Sequence, residues 1–209
     1  MISRIIKRDI NSLHVKNAYE TIVANIELGA RDELKSKMFL VTSCNPKEGK
    51  STITKGLGLY SSRTSMKTII VACDLRSRED SKHQLLKPSP GLVECLEGET
   101  TPTEVIERMG ENLYYLPRGR KTQNQTKLFM SDEFDKLLAL LKDTYDLILL
   151  DGPSLNDGPD SVVISAKSKG VILVISTGVT TFKQIGDAME QFESAGAEIV
   201  GAVLNKASR

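Results

Sequence analysis

The residues with the clearest chemical potential lie between Thr42 and Thr52, where the chain reads T-S-C-N-P-K-E-G-K-S-T. An apolar, β-rich run at 38–41 precedes this segment, and a helical pattern from Ser51 to Ser62 follows it. A strand, a loop that ends in Gly-Lys-Ser and a helix are the context that a phosphate-binding loop requires. Backbone N–H groups of such a loop converge on an anion, and the helix N-terminus adds partial positive charge.

This segment, whose residues 44–51 we call the phosphate loop, predicts the binding of ATP with Mg²⁺. We expect Lys50 to reach the β- and γ-phosphates and the Ser51 hydroxyl to ligate Mg²⁺. The usual pattern is G-x-x-x-x-G-K-[ST], and Cys44 occupies the first glycine position, so the motif is imperfect. An ordinary strand-to-helix turn that contains Gly-Lys-Ser is the alternative. The residues predicted to bind the nucleotide here are Asn45, Pro46, Lys47, Glu48, Gly49, Lys50, Ser51 and Thr52.

Two carboxylates stand at the ends of predicted strands. Asp151 closes the apolar run at 147–150, and Asp74 follows the β-branched run at 68–73. An Asp at such a strand end in a phosphate-loop fold holds Mg²⁺ directly or through water. A helix cap or a turn is the alternative for Asp151. The predicted catalytic residues are Lys50, Asp74 and Asp151, and the predicted metal ligands are Ser51, Asp74 and Asp151.

Arg76 and Asn205 complete the predicted nucleotide-binding residues. Arg76 lies two residues after Asp74 and could face phosphate or a neighbouring subunit, whereas a solvated surface arginine is the alternative. Asn205 follows the last predicted strand. An asparagine there can pair with an adenine edge through its carbonyl and amide groups.

The composition excludes several classes of protein. The 209 residues, 40% of them hydrophobic and 26% charged, suffice for one sizeable domain with a single core. A net charge of +1 does not favour a nucleic-acid or bilayer-binding surface, so we expect no nucleic-acid partner. Three cysteines at no metal-ligand spacing indicate reduced thiols in a cytoplasmic protein. The sequence shows neither a signal peptide nor an apolar run of about 18 residues, so no membrane span is expected.

The hydrophobic pattern predicts an α/β fold, a doubly wound, mostly parallel sheet flanked by helices. The domain is predicted to span 13–209 after a flexible arm at 1–12, with a loop at 77–90 and a mobile basic segment at 117–127. The predicted strands are 37–43, 68–73, 112–116, 146–151, 171–176 and 199–204, and the predicted helices are 13–30, 51–63, 91–97, 102–109, 131–143, 160–168 and 181–195. Ligands of such sheets bind at the carboxyl ends of the strands, where all candidate residues fall.

Together these residues resemble the bacterial tyrosine kinases that control capsule and exopolysaccharide synthesis, over nearly the whole chain. The phosphate loop of that family reads like T-S-x-x-P-x-E-G-K-[ST], which Thr42 to Ser51 match. A second signature, an apolar strand followed by D-x-D-x-R, is matched by Asp74 and Arg76. An apolar strand that ends in Asp, the third signature, is matched by 148–151. Further similar segments are Gly91-Leu92, Leu96-Glu97-Gly98 and 201–206.

The resemblance implies an ATP- and Mg²⁺-dependent protein-tyrosine kinase that regulates polysaccharide synthesis and export. It also implies a membrane adaptor of the polysaccharide chain-length-regulator type, whose cytoplasmic tail completes the active state. The kinase would then be a cytoplasmic protein recruited to the inner face of the membrane, and homo-oligomer formation stays open. The related partition and septum-site ATPases carry an extra lysine where this chain has Asn45, which favours the kinase branch.

Three departures from the family pattern bear on activity. The leading Asp of D-x-D-x-R is Ala72, whose methyl group can neither contact Mg²⁺ nor deprotonate a tyrosine hydroxyl. Loss of a general base costs about 10²–10⁴-fold in rate. The family usually ends in a tyrosine-rich tail, which this sequence lacks. Either the natural chain is longer, or the acceptor tyrosine lies on another protein, or the chain does not transfer phosphate. The ring-forming pattern E-x-x-R-x-x-R is replaced at 17–23, so a ring through that helix is not expected.

Two other functions are compatible with these departures. A catalytically weak switch would bind ATP only to control assembly with the adaptor, and Ala72 supports it. A positioning ATPase of the partition type would hydrolyse ATP on a membrane or on DNA, and Asn45 argues against it.

Overall fold

The described residues contain seven strands, which form one sheet, and an interior strand of that sheet leads into the phosphate loop. The computed structural model describes residues 13–28, 37–76, 89–168 and 170–206. The strands are β1 (Lys37–Ser43), β2 (Thr68–Ala72), β3 (Glu107–Arg108), β4 (Leu113–Leu116), β5 (Leu147–Asp151), β6 (Gly170–Ser176) and β7 (Glu198–Asn205). The helices are α1 (Leu13–Leu28), α2 (Lys50–Ser61), α3 (Leu92–Leu96), α4 (Pro102–Val105), α5 (Gln125–Phe129), α6 (Asp132–Thr144), α7 (Asp160–Ser168) and α8 (Phe182–Ser194).

The sheet is almost entirely parallel. Its strand order is β3-β4-β2-β5-β1-β6-β7, and only β3 and β4 pair antiparallel. The chain therefore passes from β1 outward to β2 and β4, returns to β5, and continues outward on the other side to β6 and β7. This order confirms the predicted doubly wound, mostly parallel α/β fold.

Two apolar layers cover the two faces of the sheet. Side chains of a strand point alternately to opposite faces, so each buried strand contributes to both layers. In β1, Leu40 packs in the layer with α6, α7 and α8, whereas Val41 packs in the layer with α1 and α2. In β5, Ile148 and Leu149 divide in the same way. Continuous apolar runs in the sequence thus reflect strands that are buried on both faces.

Helix α1 is fixed to the domain by an aromatic stack. The ring of Tyr19 lies parallel to the ring of Tyr60 on α2, with centroids 5.2 Å apart and an interplanar angle of 7°. Gly56 makes room for this contact, because a Cβ at that position would lie 2.3 Å from Cζ of Tyr19. The prediction of a helix in this region is confirmed, and its proposed end at Gly29 lies outside the described residues.

Most predicted elements are confirmed to within a few residues, and two segments differ. The helix predicted at 102–109 ends at Val105, and the short strand β3 follows it and pairs with β4. The segment 117–127 is not the loose basic loop that its polarity predicts. Arg118 is buried, the Arg120 side chain is paired with three carboxylates, and Gln125 begins α5.

Two predicted segments cannot be compared with the structure. The arm at 1–12 and most of the loop at 77–90 lie outside the described residues. Among the helices that the structure describes, none has both the length and the apolar character needed to cross a membrane.

Candidate functional site

The phosphate loop connects the end of β1 to the start of α2 and depends on left-handed backbone at two positions. Gly49 directly precedes α2 with φ 99°, and Lys47 has φ 63°. A Cβ at Gly49 would lie 2.2 Å from Nδ2 of Asn205 and would displace that amide, and the positive φ also favours glycine there. The loop therefore ends directly at the N-terminus of a 12-residue helix, which favours an anion.

Two residues at the end of β7 form hydrogen bonds with the backbone of the phosphate loop. Nδ2 of Asn205 donates a hydrogen bond to the Glu48 carbonyl at 2.8 Å, and Nζ of Lys206 donates one to the Lys47 carbonyl at 3.0 Å. The structure thus places the predicted adenine-binding residue Asn205 against the loop backbone. Its amide nitrogen supports the loop, and a contact with adenine stays a prediction.

Asp151 lies at the centre of the site. It ends β5 in register with Val41 of β1 and with Ala72 of β2, and it is 8% exposed. Burial raises the pKa of its carboxyl to about 6, and repulsion from Asp74 acts in the same direction. A hydrogen bond with Ser51 and the charges of Lys55 and Lys50 favour the ionised form and limit the rise of this pKa.

The predicted metal ligands fit a small divalent cation. Ser51 lies close enough to Asp151 to lower the pKa of its carboxyl, and the negative charge of Asp74 is close enough to raise that pKa. Oxygen ligands of this kind suit Mg²⁺, which is usually held by one or two carboxylates together with substrate phosphates. Within the described ranges no three carboxylate, imidazole or thiol groups cluster as a preformed metal site.

Arg76 lies in an ion pair at the edge of the site. Its Nε and Nη2 atoms both lie 2.9 Å from Oδ2 of Asp160, whose side chain is 2% exposed at the start of α7. Thr126 of α5 donates to the other carboxylate oxygen of Asp160. The structure thus gives Arg76 a protein partner, and its contact with phosphate stays a prediction.

Sequence reasoning did not identify Asp160 or Thr126. An Asp in the first turn of a helix reads as a capping residue, and no local pattern links it to Arg76, 84 positions earlier in the chain. A pair of this kind becomes visible only when β2, α5 and α7 are packed together.

Cys44, which replaces the first motif glycine, packs inside the protein. Its side chain is buried, and the thiol donates to the Gln184 carbonyl across 3.5 Å. Burial, with the nearby carboxylates Glu48 and Asp187, raises the pKa of this thiol to about 11. Cys44 therefore behaves as a small packing residue at neutral pH, and it forms no disulfide.

Ala72 occupies the position where the resemblance expects a carboxylate. Its methyl group is buried on β2, in register with Asp151 of the neighbouring strand. The site therefore contains two acidic strand ends, Asp74 and Asp151, where the family pattern has three.

The amino-acid sequence is similar to those of several tyrosine-protein kinases. The sequence is 30% identical over 194 residues to tyrosine-protein kinase CpsD of Streptococcus pneumoniae serotype 4, covering 90% of this chain and 82% of that protein. It is 28% identical over 174 residues to tyrosine-protein kinase etk of Escherichia coli K12, covering 83% of this chain and 24% of that protein. The chain thus spans about a quarter of the length of etk. No protein-family model matches it.

Solved structures show the same fold. The chimerical protein CapA2B2 superposes with a TM-score of 0.86 at 26% identity, covering 100% of this chain and 92% of that chain. The septum site-determining protein MinD of Pyrococcus horikoshii OT3, complexed with Mg-ADP, superposes with a TM-score of 0.67 at 22% identity, covering 83% of this chain and 72% of that chain. The second likeness concerns the fold alone.

Proposed function

Because the chain belongs to the family of bacterial tyrosine-protein kinases, we propose that it binds ATP with Mg²⁺ and transfers phosphate to protein tyrosine. The observation that carries this proposal is the meeting of the phosphate loop with Asp151. Ser51, in the first turn of α2, lies close enough to the buried Asp151 carboxylate at the end of β5 to lower its pKa, and Thr54 of the same helix donates a hydrogen bond to that carboxylate at 3.4 Å. A cation ligand from each side of one phosphate-binding turn is the arrangement that phosphoryl transfer requires.

Each residue of the site has a distinct role in this proposal. Lys50 neutralises charge on the β- and γ-phosphates, and the backbone around Gly49 accommodates the phosphate oxygens. Ser51, Asp74 and Asp151 hold the cation. When bound, Mg²⁺ neutralises the negative charge that builds up on the phosphate oxygens.

Ala72 determines how fast we expect phosphate transfer to be. Without a carboxylate at this position, no group on β2 next to Asp151 can take the proton of an acceptor hydroxyl. We expect phosphate transfer to be slower by about 10²–10⁴-fold than in a protein that retains this base. Nucleotide binding depends on other residues and should be little affected.

The partner and the cellular role follow from the resemblance. We propose that a membrane adaptor of the polysaccharide chain-length-regulator type binds the kinase through its cytoplasmic tail and recruits it to the inner face of the membrane. Capsule or exopolysaccharide synthesis and export would then respond to phosphorylation and assembly. Homo-oligomer formation belongs to the same proposal, through a contact other than a ring built on the replaced motif at 17–23.

The test compares three proteins in one assay. The chain with Ala72, Ala72→Asp and Lys50→Met are incubated with ATP, Mg²⁺ and a random Glu-Tyr copolymer, and phosphotyrosine is measured. We expect slow transfer by the chain with Ala72, at least tenfold faster transfer by Ala72→Asp, and none by Lys50→Met. Tight ATP binding with no phosphotyrosine from either of the first two proteins would show that the kinase proposal is wrong.

That negative outcome would favour a second candidate function, which Ala72 supports. In it the chain is a nucleotide switch that binds ATP and changes its affinity for the adaptor without transferring phosphate. The two functions separate in a pull-down with the adaptor tail, because a switch would respond to a non-hydrolysable ATP analogue as strongly as to ATP. A partition-type ATPase is less favoured, because Asn45 lacks a charge and is fully engaged within its own chain.

A further inference from the structure

Two side chains of the phosphate loop, those of Asn45 and Glu48, form hydrogen bonds with other parts of the protein. Glu48 is 1% exposed, although it lies next to Gly49 in a loop at the surface. Its carboxylate accepts hydrogen bonds from the Asn45 backbone N–H at 3.2 Å, from the Asn45 side-chain amide at 3.0 Å and from the Thr180 hydroxyl. A buried carboxylate with three donors is an organising group, because each donor is fixed relative to the others.

The carboxylate of Glu48 also determines the direction of the hydrogen bonds beyond it. The carboxylate oxygens of Glu48 accept these bonds, so the Asn45 amide turns its nitrogen toward Glu48 and its oxygen away. That oxygen accepts from Nδ2 of Asn156 at 2.7 Å and from Nε2 of Gln184 at 2.8 Å. Both polar atoms of the Asn45 side chain, Nδ2 and Oδ1, therefore form hydrogen bonds within the protein.

These bonds join three segments that are distant in the sequence. Asn156 lies in the 3₁₀ turn Leu155–Asp157, five residues after Asp151, and its backbone N–H also bonds to the Cys44 carbonyl. Gln184 lies in the first turn of α8, and its side chain accepts from the backbone of Thr181, which caps that helix. We call this set, Asn45, Glu48, Asn156, Thr180 and Gln184, the three-loop joint.

We propose that Asn45 and Glu48 are positioning residues that make the phosphate loop, the turn after β5 and the start of α8 respond to phosphate as one unit. The proposal rests on the nucleotide binding proposed above but not on phosphate transfer. Phosphate that orders the loop must also order Glu48 and Asn45, and through them both attached segments. The turn at Leu155–Asp157 follows the cation ligand Asp151, so the joint connects the two sides of the nucleotide site.

The joint also accounts for the uncharged residue at position 45. A lysine there could not accept from Asn156 and Gln184, and it would turn two donors of those amides into unpaired groups. Asparagine fits because it donates to Glu48 and accepts from both amides at once.

The test uses hydrogen exchange of backbone amides, with and without ATP and Mg²⁺, on the natural chain and four variants. In the natural chain ATP should slow exchange in the phosphate loop, at 154–157 and at 180–184. In Asn45→Ala the slowing at 154–157 and at 180–184 should be smaller than in the natural chain, because only the Thr180–Glu48 and Asn156–Cys44 bonds still join these segments to the loop. ATP affinity should fall about tenfold for the loss of the Asn45 hydrogen bonds. Asn156→Ala should reduce the slowing only at 154–157, and Gln184→Ala only at the start of α8. The matched control is Gln123→Ala, an exposed polar residue before α5.

The outcomes separate this proposal from the proposed function. The proposal would be overturned if ATP slowed exchange at 154–157 and 180–184 in Asn45→Ala as much as in the natural chain. It would also be overturned if Asn156→Ala or Gln184→Ala reduced the slowing equally in both segments. If the natural chain does not bind ATP, the proposed function fails, and the joint is then judged without ligand. In that case Asn45→Ala must speed exchange at both 154–157 and 180–184, and unchanged exchange there would refute the joint as well.

Discussion

At the scale of single residues, the Asp151 carboxyl is buried and lies near a second carboxylate, Asp74, and both features raise its pKa. Its raised pKa of about 6 means that the folded protein holds a proton more tightly than the unfolded chain does. Stability from this group is therefore fully present below the ordinary aspartate pKa and is lost as the pH rises through about 6. At neutral pH without cation, the ionised Asp151 destabilises the fold.

This linkage predicts the effect of Asp151→Asn. The variant removes the buried charge, so at pH 7 without Mg²⁺ its free energy of unfolding should exceed that of the natural chain by up to about 3 kcal/mol. Well below the ordinary aspartate pKa of 3.8 the difference should vanish, because the aspartate is then protonated in both states. Denaturant titrations at several pH values from about 2.5 to 7 measure it. A difference that does not change with pH would contradict the linkage.

At the scale of elements, the contact between α1 and α2 depends on a missing side chain. Gly56→Ala should lower the free energy of unfolding by about 1–3 kcal/mol, because its Cβ would overlap the Tyr19 ring. The matched control is Gly186→Ala on α8, where no heavy atom lies within 4 Å of the added Cβ, and which should stabilise by about 0.5–1 kcal/mol. In the background Tyr19→Ala the cost of Gly56→Ala should disappear, and a cost that persists would show that the ring is not its cause.

The ion pair between Arg76 and Asp160 connects the loop after β2 to α7 and α5. Asp160→Asn keeps the shape and loses the charge, so the pair that holds Arg76, two residues after the predicted metal ligand Asp74, should weaken. We expect the Mg²⁺ concentration for half-maximal ATP binding to rise about tenfold or more, as for other residues that hold metal ligands in place. Calorimetric titrations of ATP at several Mg²⁺ concentrations measure it. The control is Asp135→Asn, which removes an exposed pair with Lys167, and an equal effect of both variants would contradict the role.

At the scale of the whole molecule, the sequence predicts what depends on short-range pattern. The buried strands, α6 with Phe134 and Leu141 on one face, and the junction at Lys50 and Ser51 all follow from local periodicity or spacing. Longer contacts leave no such signal. Strand β3 forms because β4 offers an edge, which overrides the helical pattern after Val105. The three-loop joint spans up to 139 positions in the chain, so no window of sequence contains it.

The tyrosines of the folded domain bear on where phosphate goes. None of the five tyrosines is exposed: Tyr19, Tyr60 and Tyr145 are buried, and Tyr114 and Tyr115 are half-buried. Tyr19 and Tyr60 are stacked on each other, and Lys67 lies over the rings of Tyr114 and Tyr145. A hydroxyl acceptor must reach the γ-phosphate within about 3–3.5 Å, which a packed ring cannot do without local unfolding.

We therefore expect the acceptor tyrosine to be none of these five. After incubation of Ala72→Asp with ATP and Mg²⁺, mass spectrometry should find phosphotyrosine on an added tyrosine-containing protein and none at these five positions. The control is the same mixture at a denaturant concentration just below the unfolding midpoint, where transient opening should expose some of the five. Phosphate at Tyr114 or Tyr115 under native conditions would show that the segment around β4 opens to the active site. Such opening would locate the acceptor within the domain itself.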